Sequence, residues 1–141
     1  MKYRTLGKTN FKVAEVGFGT WQLANDPGAW VGSDVNESKE CLKRYVEEGG
    51  NFIDTAWIYG YDDSKPDSHP SEELIGKFFK EHGKDNIYIA SKVPPKNMQW
   101  PARVGIPISE VFPREHILKC VDDSLRSTQL DQIDVMQFHV W

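Results

Sequence analysis

Residues 36–60 read NESKECLKRYVEEGGNFIDTAWIYG, and in this one stretch a helical pattern, a stop, a strand and a loop follow each other. Cys41, Leu42, Tyr45 and Val46 recur at i, i+1, i+4 and i+5, which places them on one face of a helix over residues 36–48. Asn36 is the expected N-cap. Gly49-Gly50 is the expected stop, because glycine takes up the left-handed backbone that ends many helices. Asn51-Phe52-Ile53-Asp54 then reads as a short strand ending in a carboxylate.

The same unit recurs on the C-terminal side. Leu74, Ile75, Phe78 and Phe79 give a second helix, closed by His82-Gly83, and residues 87–92 (IYIASK) form a β-rich run ending in a cation. Ile117, Val121 and Leu125, with Leu118 alongside, make a third helix opened by Pro113. Residues 133–139 (IDVMQFH) form a strand ending in an imidazole. On the N-terminal side, residues 3–6 and 12–14 flank Gly7-Lys8-Thr9-Asn10 as a short hairpin, and Val16-Gly17-Phe18 is a short apolar strand. Helices alternating with apolar strands imply βαβ units, an α/β fold and a parallel sheet. Periodicity fits an open doubly wound sheet and part of a barrel equally well.

Bulk properties exclude several classes. The 141 residues, 39% of them hydrophobic, fit a single domain, residues 1–141. A net charge of −4 and a pI near 5.5 argue against a nucleic-acid partner. No run approaches the ~20 apolar residues that cross a bilayer, so no membrane contact is expected. The opening MKYRTLGKTN lacks the apolar core of a secretory signal, which makes a cytoplasmic location the expectation. Cys41 and Cys120 form no C-x-x-C or Cys/His cluster and are expected to be buried and structural. His69, His82 and His116 lack ligand spacing; they are expected at the surface, and no metal is implied.

Chemistry enters at the strand ends. Asp54, Lys92 and His139 close three successive strands, and Tyr59 lies in the loop after the first of them. In a parallel α/β sheet the strand C-termini share one edge, where ligands bind. Taken singly, a strand-end Asp, Lys or His is usually solvated or capping. Together the four form a tuned proton donor: a phenol has a reference pKa near 10, and an ammonium within ~4–6 Å favours its phenolate. A carboxylate would aim the lysine, a histidine could hydrogen-bond a carbonyl oxygen, and a nicotinamide would supply the missing hydride. Gly17-Phe18-Gly19 starts a G-x-G-x-x-G fingerprint, but Gln22 stands at the third glycine.

YRTLGKTNFKVAEVGFGTW, GGNFIDTAWIYG, SEELIGKFF, IASKV and SLRSTQLDQIDVMQFHVW resemble successive blocks of the aldo-keto reductase family, over the whole chain and in family order. The resemblance implies a (β/α)8 TIM barrel, of which this chain holds about the N-terminal half, from the hairpin to the fourth barrel strand. It implies an NAD(P)H-dependent oxidoreductase that reduces aldehyde or ketone carbonyls of small molecules to alcohols. Tyr59 would be the general acid tuned by Lys92 and Asp54, with His139 orienting the carbonyl. Gly19, Thr20, Trp21 and Asp54 would meet the cofactor, NADP(H) with NAD(H) not excluded, and Trp21 and His139 the substrate.

The departures carry expectations of their own. Residues 61–70 (YDDSKPDSHP) lengthen the link to the second helix, and residues 93–112 form a long loop rich in proline. Trp21, Trp57, Trp100 and Trp141 border the same edge, which fits an aromatic-walled substrate pocket; packing beneath the long loops fits all but Trp21 equally well. A complete barrel takes ~250 residues. The 141-residue chain is accordingly expected to be inactive alone, with an open strand edge suited to self-association. The rival reading is a non-enzymatic half-barrel that binds or builds through dimerisation.

Overall fold

The computed structural model describes residues 1–26, 30, 32–101 and 105–139; Trp141 lies outside them. A hairpin comes first, β1 (Tyr3–Thr5) pairing antiparallel with β2 (Lys12–Ala14). The Thr9 hydroxyl donates to the Leu6 carbonyl at 2.7 Å, and Gly7 takes φ +53° in the turn. Asn51 clamps this hairpin to the body: its Oδ1 accepts the Ala14 N–H at 2.7 Å and its Nδ2 donates to the Lys12 carbonyl at 2.8 Å.

Then β3 (Phe18–Gly19), β4 (Phe52–Asp54), β5 (Tyr88–Val93) and β6 (Val135–Phe138) form a four-stranded sheet in that order, every pair parallel. The crossovers are α1 (Val35–Glu47), α2 (Pro70–His82) and the pair α3 (Ile108–Val111) and α4 (Arg114–Thr128). Leu42, Ile53, Leu74, Ile75, Phe78 and Ile89 fill the core between the sheet and the first two crossover helices. Trp57, Val93, Val111, Phe112 and Cys120 fill a second core under α3 and α4. Among the described residues, no helix is long and apolar enough to cross a membrane.

Several expectations are corrected. The N-cap of α1 is Asp34, not Asn36: its carboxylate accepts the Asn36 and Glu37 amides at 2.8 and 3.0 Å and starts the helix earlier. Cys41 is exposed, because Leu42 takes the buried position of α1 and the next residue back is rotated outward; Cys120 is buried as expected. The link over residues 61–70 is ordered by its own turns, with the Asp62 carboxylate accepting the Ser64 N–H at 2.9 Å. The long loop contains α3 and is closed by Lys96 N–H donating to the Val111 carbonyl at 2.9 Å.

Candidate active site

Sheet register places Gly19 opposite Asp54, Asp54 opposite Ala90, and Lys92 opposite Gln137. Side chains alternate across a strand. With Ile53, Ile89 and Val93 committed to the helix side, Asp54 and Lys92 emerge together on the other face. There the Lys92 ammonium donates to Asp54 Oδ1 at 2.5 Å, to the Thr55 carbonyl at 2.8 Å and to the Tyr59 hydroxyl at 3.3 Å. Three acceptors match the three protons of an ammonium. Its Nζ also stands 5.0 Å from the centroid of the Tyr59 ring.

His139 joins this group through the sheet. Its N–H donates to the Val93 carbonyl at 2.9 Å, continuing the β5–β6 ladder, and its ring meets Tyr59 edge-on at 5.6 Å. Burial and the nearby Lys92 ammonium push His139 down to about 4, against the smaller opposing pull of Asp54. The imidazole is therefore neutral at neutral pH. Its buried Nδ1 has no hydrogen-bond partner among the described residues. Thus the three strand-end residues and the loop residue Tyr59 stand within one cluster.

A cleft of ≈ 380 Å³ opens beside them, lined by Trp21, Asp26, Ile58, Tyr59, Trp100 and His139. Trp21 stacks on Tyr59 at 5.7 Å with 17° between the planes, and its indole N–H donates to Asp26 at 2.8 Å. Trp100 meets His139 edge-on at 5.0 Å. Trp57 is not a wall of this cleft: it is 5% exposed, sits in the second core and donates its indole N–H to Asp123 at 3.2 Å. Thr20 has no exposed surface, its hydroxyl being held by Asp54 and Ser71, whereas Trp21 is 39% exposed. Thr20 thus shapes the floor rather than the wall.

Behind the sheet lies a second polar group that the sequence did not announce. His69, expected at the surface, is completely buried, its ring packed 4.3 Å from Trp57 and its Nδ1 2.9 Å from the Trp57 carbonyl. His116 is half-buried, with Nε2 2.7 Å from the Pro94 carbonyl; His82 alone follows the surface expectation. Glu72 is also fully buried. It accepts the Ser91 hydroxyl at 2.6 Å, yet burial pushes its carboxyl up to about 7. Burial raises Asp123 too, but hydrogen bonds from Lys119, Trp57 and Arg126 outweigh it and hold Asp123 below the usual range.

Comparison with known proteins places the chain in a family. Residues 15–141 match the model of the aldo/keto reductase family, and the chain belongs to that family. It is 31% identical to aldo-keto reductase YhdN of Bacillus subtilis, over 99% of this chain and 38% of that protein. It is 27% identical to a 6-dehydroglucose reductase of Novosphingobium aromaticivorans, over 97% of this chain and 41% of that protein. Among solved structures, the holo form of aldo-keto reductase AKR11C1 from Bacillus halodurans superposes with TM-score 0.70 and 29% identity, covering 99% of this chain and 40% of that one. The chain spans about two fifths of the length of these relatives. Its four parallel strands and their helices are the N-terminal part of a (β/α)8 barrel.

Proposed function

We propose that this chain carries the proton-transfer centre of an NAD(P)H-dependent reductase of aldehyde and ketone carbonyls. The observation that carries the reading is the single ammonium of Lys92 placed between the Asp54 carboxylate and the Tyr59 hydroxyl. Tyr59 donates its proton to the carbonyl oxygen of a small substrate held in the aromatic cleft. The phenolate left behind is stabilised by the Lys92 ammonium, which Asp54 aims at it. His139, neutral, offers the same oxygen a hydrogen bond and orients it without competing as a cation. Trp21 and Trp100 exclude water from the pair.

The strand ends suit a nicotinamide. Among the described residues other than its chain neighbours, no atom lies within 4 Å of where a Cβ of Gly19 would stand, so a flat ring can approach the backbone there. Gly19, Trp21 and Asp54 would hold the cofactor, with Thr20 acting from beneath; NADP(H) is the expected form. Once bound, the cofactor supplies the hydride.

The test is Tyr59→Phe, in the enzyme extended to the length of its curated relatives. It deletes only the transferable proton, so turnover should fall by ~10²–10⁴-fold while NADPH affinity is nearly unchanged. A variant that keeps most of its turnover overturns the reading.

A further inference from the structure

We infer that Ser71, the second residue of α2, is a positioning residue for this centre; the inference rests on the roles given above to Lys92 and Tyr59. Ser71, Thr20 and Thr55 are all without exposed surface. Ser71 Oγ lies 2.6 Å from Thr20 Oγ1 and 2.8 Å from Thr55 Oγ1. Its backbone N–H donates to the Tyr59 carbonyl at 3.4 Å. One residue therefore touches Tyr59, the neighbour of Trp21 and the neighbour of Asp54.

Proton counting gives the bridge a direction. Each hydroxyl has one proton to donate. Thr20 gives its own to the Asp54 carbonyl at 3.1 Å, so Ser71 must donate to Thr20, and Thr55 to Ser71. The 3.4 Å approach of Ser71 Oγ to the Thr20 carbonyl is too long to compete. The result is a chain from Thr55 through Ser71 and Thr20 to the Asp54 carbonyl. Its two ends are the residues that hold Lys92, Thr55 by its carbonyl and Asp54 by its carboxylate. Hydrogen bonds polarise one another along such a chain away from water.

Without the Ser71 hydroxyl, the buried Thr55 hydroxyl loses its acceptor and Thr20 its donor. Relieving that loss requires the Thr55 peptide or side chain to turn, and the Thr55 carbonyl is one of the three acceptors fixing Lys92. The α2 N-terminus is thereby tied to the placement of the ammonium beside Tyr59.

Two readouts test this, both made in the enzyme extended to the length of its curated relatives. The first is the reductive methylation of Lys92 by formaldehyde and borohydride, followed by peptide mass spectrometry, with Lys84 as the remote control because Asp134 pairs it at 2.8 Å. Ser71→Ala should raise the Lys92 rate by about fivefold or more, as loss of roughly one hydrogen bond implies, with Lys84 unchanged. Ser71→Thr keeps the hydroxyl and should keep the parent rate. Thr55→Val breaks the same link from its other side and should match Ser71→Ala, and the double variant should be no worse than either. The second readout is single-turnover reduction with NADPH already bound. Ser71→Ala should slow it ~10-fold, with a larger solvent deuterium isotope effect and cofactor affinity within about twofold of the parent. Unchanged Lys92 reactivity in both Ser71→Ala and Thr55→Val overturns the inference, as does an equal rise at Lys84. If Lys92 reactivity responds but Tyr59→Phe retains turnover, Ser71 still positions Lys92 and only the role of Tyr59 falls.

Discussion

At His139, burial and a neighbouring cation act together, and the value of about 4 lies below the reference near 6.5. A base depressed on folding contributes stability that is complete above pH 6.5 and lost as pH falls toward 4. Glu72 runs the other way. Its carboxyl rises from 4.5 to about 7, so its contribution is complete below pH 4.5 and lost as pH climbs through 7. The melting temperature of the parent minus that of Glu72→Gln should therefore decrease steadily across that window. A flat difference would mean that Glu72 titrates normally. For catalysis in the enzyme extended to the length of its curated relatives, His139→Ala should lower kcat/KM for carbonyl substrates more than it weakens NADPH binding. Loss of cofactor affinity with an unchanged rate for bound substrate would make His139 structural. Asp54, Lys92 and His139 were legible because order along the chain fixes strand ends, and Tyr59 because it falls in the loop after the first of them. Ser71, His69 and Glu72 were not, because a polar residue in a loop or first helical turn looks the same in sequence whether water or a core surrounds it.

Among the elements, α2 meets the end of α4 at Gly76. A Cβ there would stand 2.6 Å from the Thr128 carbonyl oxygen and 2.8 Å from that of Ser127. Backbone atoms cannot rotate aside as a side-chain tip can. Gly76→Ala should thus force the helices apart and destabilise the protein by about 1–3 kcal/mol, seen as a lower denaturant midpoint. An unchanged midpoint would show that the end of α4 yields freely. The helices themselves were readable from apolar spacing, as Leu74, Ile75, Phe78 and Phe79 illustrate. α3 was not, since the four residues Ile108–Val111 make barely one turn and carry no period. Cap chemistry also outran the pattern at α1, where Asp34 stands ahead of the first periodic residue.

On the scale of the whole molecule, β3 and β6 each end the sheet with an edge that no strand pairs among the described residues, and Phe138 and Leu118 are 44% and 45% exposed. The 141-residue polypeptide, purified by itself, should consequently self-associate and give no saturable NADPH fluorescence change. A monomer that binds NADPH tightly and reduces a simple aldehyde would refute this. Parallel strands wound by helices were legible from the sequence, but barrel against open sheet was not, because closure depends on strand tilt and twist that no residue period records.

The clamp of Asn51 on the hairpin makes Ala14 a timer for one particular motion. Its amide proton is bonded to the Asn51 side chain across 37 positions, at 2.7 Å. Deuterium from solvent can replace that proton only when the hairpin lifts off the start of β4. The exchange rate at this one amide therefore counts how often the N-terminal hairpin comes loose, separately from any opening of the four-stranded sheet.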